Sequence, residues 1–565
     1  AKERALALFD VGFPVLAALV YLGVVARYLY GNALDFPEAD PLTQLVLSYE
    51  VYRSPVHLWY FLPTAHPPLQ NMVTGLCYAV WGENERVAYL SIAGMAAFSA
   101  LPLYFGGRKL AGRMAGVLAT LLFLTSPYTF SLSQYYFTDV SLATGVAAYA
   151  ACWLNDPSFS SRRLSMLAGL SLGAAMLAKY SCVLFVLPMV ALPLATLAAH
   201  LSRTLWRREA DPRLVTACAL GAAAIVLALL AWPTGRWIRL ATLEELLLAA
   251  SLLGWLAWRR ARTPQAARAA NILGAALLTT MLSLPWYSEQ LSGLLSCYYS
   301  NFGTVGTFGL TRPQIWAYFT AVALAMYGGS LFLLPLSVVY PLVSRRADHL
   351  WLLATTLLAY VIVAAVNTPE SREMYPLLPL LCLSAVTWLD GIRRPAALAL
   401  AVGVVGLFQG AFWLVPGVAP PVGELTSIPL FLPPITHFRR AREVRPNLER
   451  FRLDVREILG TVDRANPPRI IEAIDDQQVI ESRIQRVMSV EHLQLVLVEE
   501  GCATRLVDLA RGPVSPDQAD WLVLATGAER KPEESAAMRD CVGKLRLVRT
   551  LDVYPGLQVR VYKII

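Results

Sequence analysis

The sequence predicts an α-helical polytopic membrane protein of about thirteen spans with a C-terminal extracytoplasmic α/β domain. Three observations carry that expectation. The 565 residues are 56% hydrophobic and only 16% charged, against about 25% charged in soluble domains, and the mean hydropathy is +0.49. Apolar runs of roughly 18 residues or more, each long enough to cross a bilayer, recur along the first three quarters of the chain. Basic residues gather in short clusters between those runs, and after residue 416 the pattern changes to mixed polar and apolar periodicity.

The first segment, AKERALALFDVGFPVLAALVYLGVVARYLYG, sets basic residues before an apolar run and shows no small-residue cleavage site, so it reads as a retained signal anchor. Spans are expected at 9–30, 86–107, 114–131, 137–154, 164–178, 180–200, 214–232, 240–258, 270–287, 315–342, 350–367, 374–391 and 396–416. The stretch 68–82 (PLQNMVTGLCYAVWG) is apolar but short, and charge decides its place. With a cytoplasmic N-terminus and 68–82 outside, nineteen basic residues fall in the seven small inner loops, among them Arg108, Lys109 and Arg113. The outer face keeps only Arg53, Arg86, Lys179, Arg236, Arg239, Arg312 and Arg372 near the spans. The positive-inside rule therefore makes 68–82 a membrane-surface helix on the outer face, and it places everything after 416 outside. An inner or plasma membrane protein with a periplasmic C-terminal domain follows.

Three regions result: 1–416 in the membrane, a Pro-rich linker at 417–440 and a soluble α/β domain at 441–565. In that domain REVRPNLERFRLDVREIL and SAAMRDCVGKL read as helices, and EHLQLVLVE, ADWLVLAT and LQVRVYKI as strands. The net charge of +8 does not indicate nucleic acid, because the arginines sit where topology determinants sit. Eight scattered cysteines contain no CxxC pair. Cys502 and Cys541 in the tail either pair or stay as thiols.

The outer polar residues are the informative ones. The loop from about 31 to 85 is long enough to be functional. It opens on DFPEADPLTQ, with Asp35, Glu38 and Asp40 at the mouth of a span, where a carboxylate is costly unless solvated, paired or used. His66 follows in the same loop. Asp139 starts the next outer-to-inner span, Lys179 lies in MLAKYSC, and a fourth outer loop is expected over LPWYSEQLSGLLSCYYSNFGTVGTFGLTRPQ. A fifth, NTPESREMYPLLPL, carries Glu370, Arg372 and Glu373. Singly these have plain explanations: a snorkelling Lys179, a helix cap at Asp139, a turn at His66, a local ion pair at Arg372, a solvated Glu38. Their shared side and depth favour one site, in which cations hold phosphate and a carboxylate takes a proton.

The order of these features resembles the GT-C superfamily of membrane glycosyltransferases, most closely the branch of protein O-mannosyltransferases and lipid A aminoarabinose transferases. Glu38-Ala39-Asp40 stands where that branch has its acidic pair, and His66-Pro67-Pro68-Leu69 resembles its Lys-Pro-Pro-Leu stretch, with His in place of Lys. Ser126-Pro127 precedes Asp139 as in its second acidic loop. GLSLGAAMLAKYS, Pro285-Trp286-Tyr287 and SREMYPLLPLL resemble further segments. The resemblance covers about residues 8 to 416.

It implies transfer of a sugar from a polyprenyl-phosphate donor to an acceptor hydroxyl, with inversion at the anomeric carbon. Asp40 is then the general base, with Glu38 beside it and Asp139 orienting the acceptor or supporting the base. Lys179, Arg372 and His66 meet the phosphate, and Asp35, Trp286, Tyr287 and Tyr375 are candidate substrate contacts. No cofactor is required, although Glu38, Asp40 and Asp139 could ligate a divalent cation. Partners are the lipid-linked donor, membrane lipids and an acceptor that is lipid, polysaccharide or protein. The rival classes are a transporter or flippase, expected to show inverted repeats and mid-membrane charges, and an inactive scaffold of the same fold. An oligosaccharyltransferase would carry a Trp-Trp-Asp-type motif, and the tail has only Trp521.

Overall fold

A computed structural model of the chain describes residues 2–31, 39–53, 67–133, 136–206, 246–256, 263–303, 333–365 and 371–392, shorter pieces between them, and five strands in the tail. The helices that build the site are α1 (Lys2–Gly31), α2 (Ala39–Arg53), α3 (Leu69–Trp81), α4 (Glu85–Phe98), α5 (Ala100–Ala111), α6 (Arg113–Leu124), α7 (Thr138–Asn155), α8 (Arg162–Ala178), α9 (Cys182–Trp206), α10 (Pro264–Gly303) and α11 (Ala347–Ala365). Among the described residues, six helical stretches are long and apolar enough to cross a membrane: Leu6–Tyr30, Glu85–Ala111, Cys182–Thr204, Pro264–Leu284, Ala347–Ala364 and Arg372–Gly391. Their outward side chains are apolar. Leu16 and Leu19 on α1 and Leu357 on α11 are exposed, which only a hydrocarbon solvent makes favourable over so many helices. The expected spans 214–232, 315–342 and 396–416 lie largely outside the described residues.

The helices pack closely because small residues face one another, as they must where lipid provides no hydrophobic drive between helices. A Cβ on Gly145 of α7 would collide with the Cβ and backbone of Ala175 on α8, and one on Gly169 of α8 would meet the Ala275 carbonyl of α10 at 2.5 Å. Gly112 turns α5 into α6 at φ +86°, a conformation that L side chains rarely adopt. A carboxylate fastens α1 to this turn. Asp10 sits 2.8 Å from Arg108 and 2.7 Å from Arg113, and the Tyr104 hydroxyl donates to it at 2.7 Å.

Two expectations change. The stretch 374–391 is a broken helix: a 3-10 turn over Ser371–Leu377, an α-helix over Leu378–Ser384 and a second 3-10 turn over Thr387–Gly391. Pro376 and Pro379 lack the N–H that a regular helix needs, and irregular backbone is tolerated because most of the segment is buried in protein. The expected fourth outer loop is instead helical as far as Gly303, because α10 continues for 40 residues through Pro285 and Gly293. The segment 68–82 is a helix of 13 residues, about 20 Å long and too short for a hydrocarbon core of about 30 Å. It is inverted relative to a soluble amphipathic helix. Gln70, Asn71, Thr74 and Tyr78 are buried, while Leu76, Val80 and Trp81 are each about 70% exposed.

In the tail, β1 (Ile470–Ile474), β2 (Leu506–Asp508), β3 (Trp521–Gly527), β4 (Leu545–Tyr554) and β5 (Leu557–Ile564) form one sheet in the order β2-β1-β3-β5-β4. β1 pairs parallel with β2 and β3, whereas β5 pairs antiparallel with β3 and β4. ADWLVLAT and LQVRVYKI supply β3 and β5. EHLQLVLVE, the first expected helix, most of SAAMRDCVGKL, and Cys502 and Cys541 lie outside the described residues.

Candidate functional site

Asp139 lies in the first turn of α7, where the positive end of the helix dipole favours a carboxylate. It does not cap the helix: the N-cap is Phe137, which makes no side-chain cap bond. Its Oδ1 instead receives a hydrogen bond of 2.8 Å from the Lys179 Nζ. Lys179 ends α8 in an extended conformation, its N–H donating to the Ala175 carbonyl at 3.1 Å. Both side chains are buried, the carboxylate 1% and the ammonium 9% exposed, so Lys179 does not snorkel. Burial alone would favour the neutral amine. Asp139, with Glu373 behind it, outweighs that penalty and holds the Lys179 pKa above the ordinary lysine value.

The second oxygen of Asp139 is the unusual one: Oδ2 is buried and has no hydrogen-bond partner among the described residues. A buried carboxylate oxygen left bare is costly, and it marks a place for a hydroxyl or a water. Arg372 approaches the same helix end from the 3-10 turn, its guanidinium 4.4 Å from the centroid of the Phe137 ring. It acts electrostatically on Lys179 together with Glu373. One carboxylate, two cations and a further acid thus converge at the N-terminus of α7.

The other expected site residues divide clearly. Asp40 stands in the first turn of α2. Asp35, Glu38 and His66 lie outside the described residues. Trp286 is buried and packs edge-on against Tyr287 at 4.9 Å. The Tyr287 hydroxyl donates to the Met176 carbonyl at 2.9 Å and so braces the last turn of α8, three residues before Lys179. Tyr375 is fully enclosed, stacks on Tyr128 and donates to the Thr129 Oγ1 at 3.3 Å. It offers no surface to a substrate in this arrangement. Among the described residues no three His, Cys, Asp or Glu side chains converge in a way that would hold a metal ion, and Glu38 of the expected trio is not among them.

Sequence reasoning missed the uncharged polar cluster beside this pair. Gln44 and Ser48 of α2, Gln70, Asn71 and Thr74 of α3, and Tyr136 just before α7 are all buried and linked by hydrogen bonds. A signal was present: Gln70, Asn71 and Thr74 interrupt an apolar run at helical spacing.

Residues 65–232, a stretch that includes Asp139 and Lys179, match the family described as dolichyl-phosphate-mannose-protein mannosyltransferase. No curated protein matches the sequence. The fold is similar to that of ArnT from Cupriavidus metallidurans in the apo state, with 13% sequence identity, a TM-score of 0.56 and coverage of 99% of this chain and 98% of that one. The structure of the same protein bound to undecaprenyl phosphate gives a TM-score of 0.55 at 13% identity, covering 97% of this chain and 98% of that one. The chain therefore has the GT-C fold.

Proposed function

We propose that this chain is an integral-membrane glycosyltransferase that moves a sugar from a polyprenyl-phosphate donor to an acceptor hydroxyl. The observation that carries the reading is the buried Asp139–Lys179 pair, with a bare carboxylate oxygen on one side and Arg372 close by. The family match spans this pair, and the neighbour of similar fold binds undecaprenyl phosphate, a lipid of the proposed donor class.

The chemistry needs three things of the protein. The acceptor oxygen attacks the anomeric carbon from the face opposite the phosphate, forming the new C–O bond as the old one breaks, so the configuration inverts. The acceptor proton passes to a carboxylate, assigned to Asp40 in the first turn of α2. The electron pair of the broken bond leaves with polyprenyl phosphate, and Lys179 and Arg372 stabilise the charge gathering there. Asp139 keeps Lys179 in place with Oδ1 and offers Oδ2 to the acceptor hydroxyl. Glu38, Asp35 and His66 are assigned supporting roles in the first loop, the acids beside the base and His66 near the phosphate, and Trp286 and Tyr287 border the substrate. No step is assigned to a metal. The acceptor and the sugar meet at the outer face of an inner or plasma membrane, with the N-terminus cytoplasmic and the C-terminal domain periplasmic.

The test uses purified full-length protein in lipid, offered a panel of polyprenyl-phosphate sugars with and without EDTA, alongside Asp40→Asn. Release of polyprenyl phosphate from one donor, lost in Asp40→Asn, is expected. Full activity in Asp40→Asn would remove its assignment as base, and absence of donor binding would return the chain to the transporter class.

A further inference from the structure

The polar cluster beside the Asp139–Lys179 pair has no role in the chemistry above, yet it connects the elements that the chemistry must align. Asn71 Nδ2 donates to the Gln44 Oε1 at 3.1 Å, and Ser48 lies 3.3 Å from the Tyr78 hydroxyl, so α2 is tied twice to α3. The Tyr49 and Tyr78 rings stack on the same seam at 4.9 Å. On the far side of α3, the Tyr136 hydroxyl donates to the Thr74 Oγ1 at 2.6 Å and the Ser141 hydroxyl to the Gln70 Oε1 at 3.0 Å. Thr74 is anchored in turn to Ser91 of α4 at 2.6 Å. Ser48 of α2 also reaches the Tyr136 hydroxyl directly, so α3 and Tyr136 together join α2 to the head of α7.

The register of this cluster relates it to the site. Gln44 and Ser48 stand one turn apart on α2, Asp40 lies in the first turn of the same helix, and Tyr136 stands three residues before Asp139. Uncharged groups bonded away from water hold their geometry tightly, because each broken bond strands a buried polar atom. Resting on the transferase reading, we propose that Tyr136 is a positioning residue, which through Thr74 and α3 fixes the distance between the Asp40 end of α2 and the Asp139–Lys179 pair. The helix α3 then acts as a splint between the carboxylate that takes the proton and the groups that hold the phosphate. A misplacement of about 1 Å at a reacting centre costs up to about a hundredfold in rate.

The experiment compares Tyr136→Phe, Thr74→Val and Thr74→Ser in the reconstituted full-length protein. Tyr136→Phe and Thr74→Val remove one hydroxyl each with little change of shape, and Thr74→Ser keeps it. The positioning role predicts a kcat about ten- to a hundredfold lower in the first two, near-normal turnover in Thr74→Ser, and binding of sugar-free polyprenyl phosphate within about twofold of wild type in all three. It also predicts that amide hydrogen exchange in α2 quickens about tenfold or more in Tyr136→Phe, while exchange in α8 and α10 is unchanged. Equal turnover in wild type and Tyr136→Phe, or a parallel loss of phosphate binding, turnover and thermal stability, overturns it. A wild type that transfers no sugar refutes the transferase reading alone, and the exchange of α2 still decides whether α3 is the splint.

Discussion

Lys179→Met removes an ammonium and keeps an unbranched side chain of similar length. What remains is a carboxylate that is 1% exposed, with one oxygen already bare and now a second without its 2.8 Å partner. Breaking a buried ion pair from one side costs about 3–5 kcal/mol, since the stranded charge pays its desolvation without return. Asp139→Asn strands the ammonium instead and should cost a similar amount, eased by whatever Glu373 supplies. The double variant, Lys179→Met with Asp139→Asn, leaves no stranded charge at all. It should therefore be more stable than either single variant, with a residual loss of about 1–3 kcal/mol from the amide that has lost its partner. Equilibrium unfolding in mixed micelles reads the three differences as a double-mutant cycle. Losses that simply add, or single variants costing less than about 1 kcal/mol, the level of an exposed pair, would refute a dry ion pair at the head of α7.

Three further outcomes follow from the packing. Gly145→Ala gains about 1 kcal/mol of helix propensity but drives a methyl group into Ala175, and overpacking of about 1–3 kcal/mol should win, giving a lower unfolding temperature. A higher one would mean that α7 and α8 separate freely. Tyr375→Phe gives up only a 3.3 Å hydrogen bond to Thr129, about 1 kcal/mol, and should leave the donor KM unchanged. A raised KM would place this ring at the substrate after all. Asp10→Asn should loosen α1 from Arg108 and Arg113 and lower the unfolding temperature, while polyprenyl phosphate binding at the opposite end stays as it was. Lost binding would show that the two ends are coupled.

The membrane body was legible because a span announces itself within its own 20 residues. The expected spans at 137–154, 164–178 and 180–200 fall within a few residues of α7, α8 and α9. The break over 371–391 was not, because hydropathy does not distinguish a straight helix from a buried broken one. Pro376 and Pro379 were the available warning. Asp139 and Lys179 each read plainly as single residues, a cap and a snorkel, and only the packing of α7 on α8 shows that residues 40 apart in sequence form one pair. The polar face of α3 was hidden for the opposite reason. Hydropathy averages a helix around its axis, and the apolar outward side of Leu76, Val80 and Trp81 masked the inward amides.

The lock around Asp10 has a history as well as a geometry. A carboxylate within an apolar helix is an obstacle to bilayer entry, at most about 2.5–3.5 kcal/mol for Asp at the helix centre and less near an end. Its nearest relief, Arg108 and Arg113, is made some hundred residues later. At about 5–20 residues per second, α1 waits roughly 5–20 s on the ribosome before its counter-ions exist. Through that interval the surplus of leucine and valine around Asp10 alone must keep α1 in the membrane. The arrival of the α5–α6 hairpin then turns a tolerated defect into a latch, so an early helix stays uncommitted until a later one confirms its place.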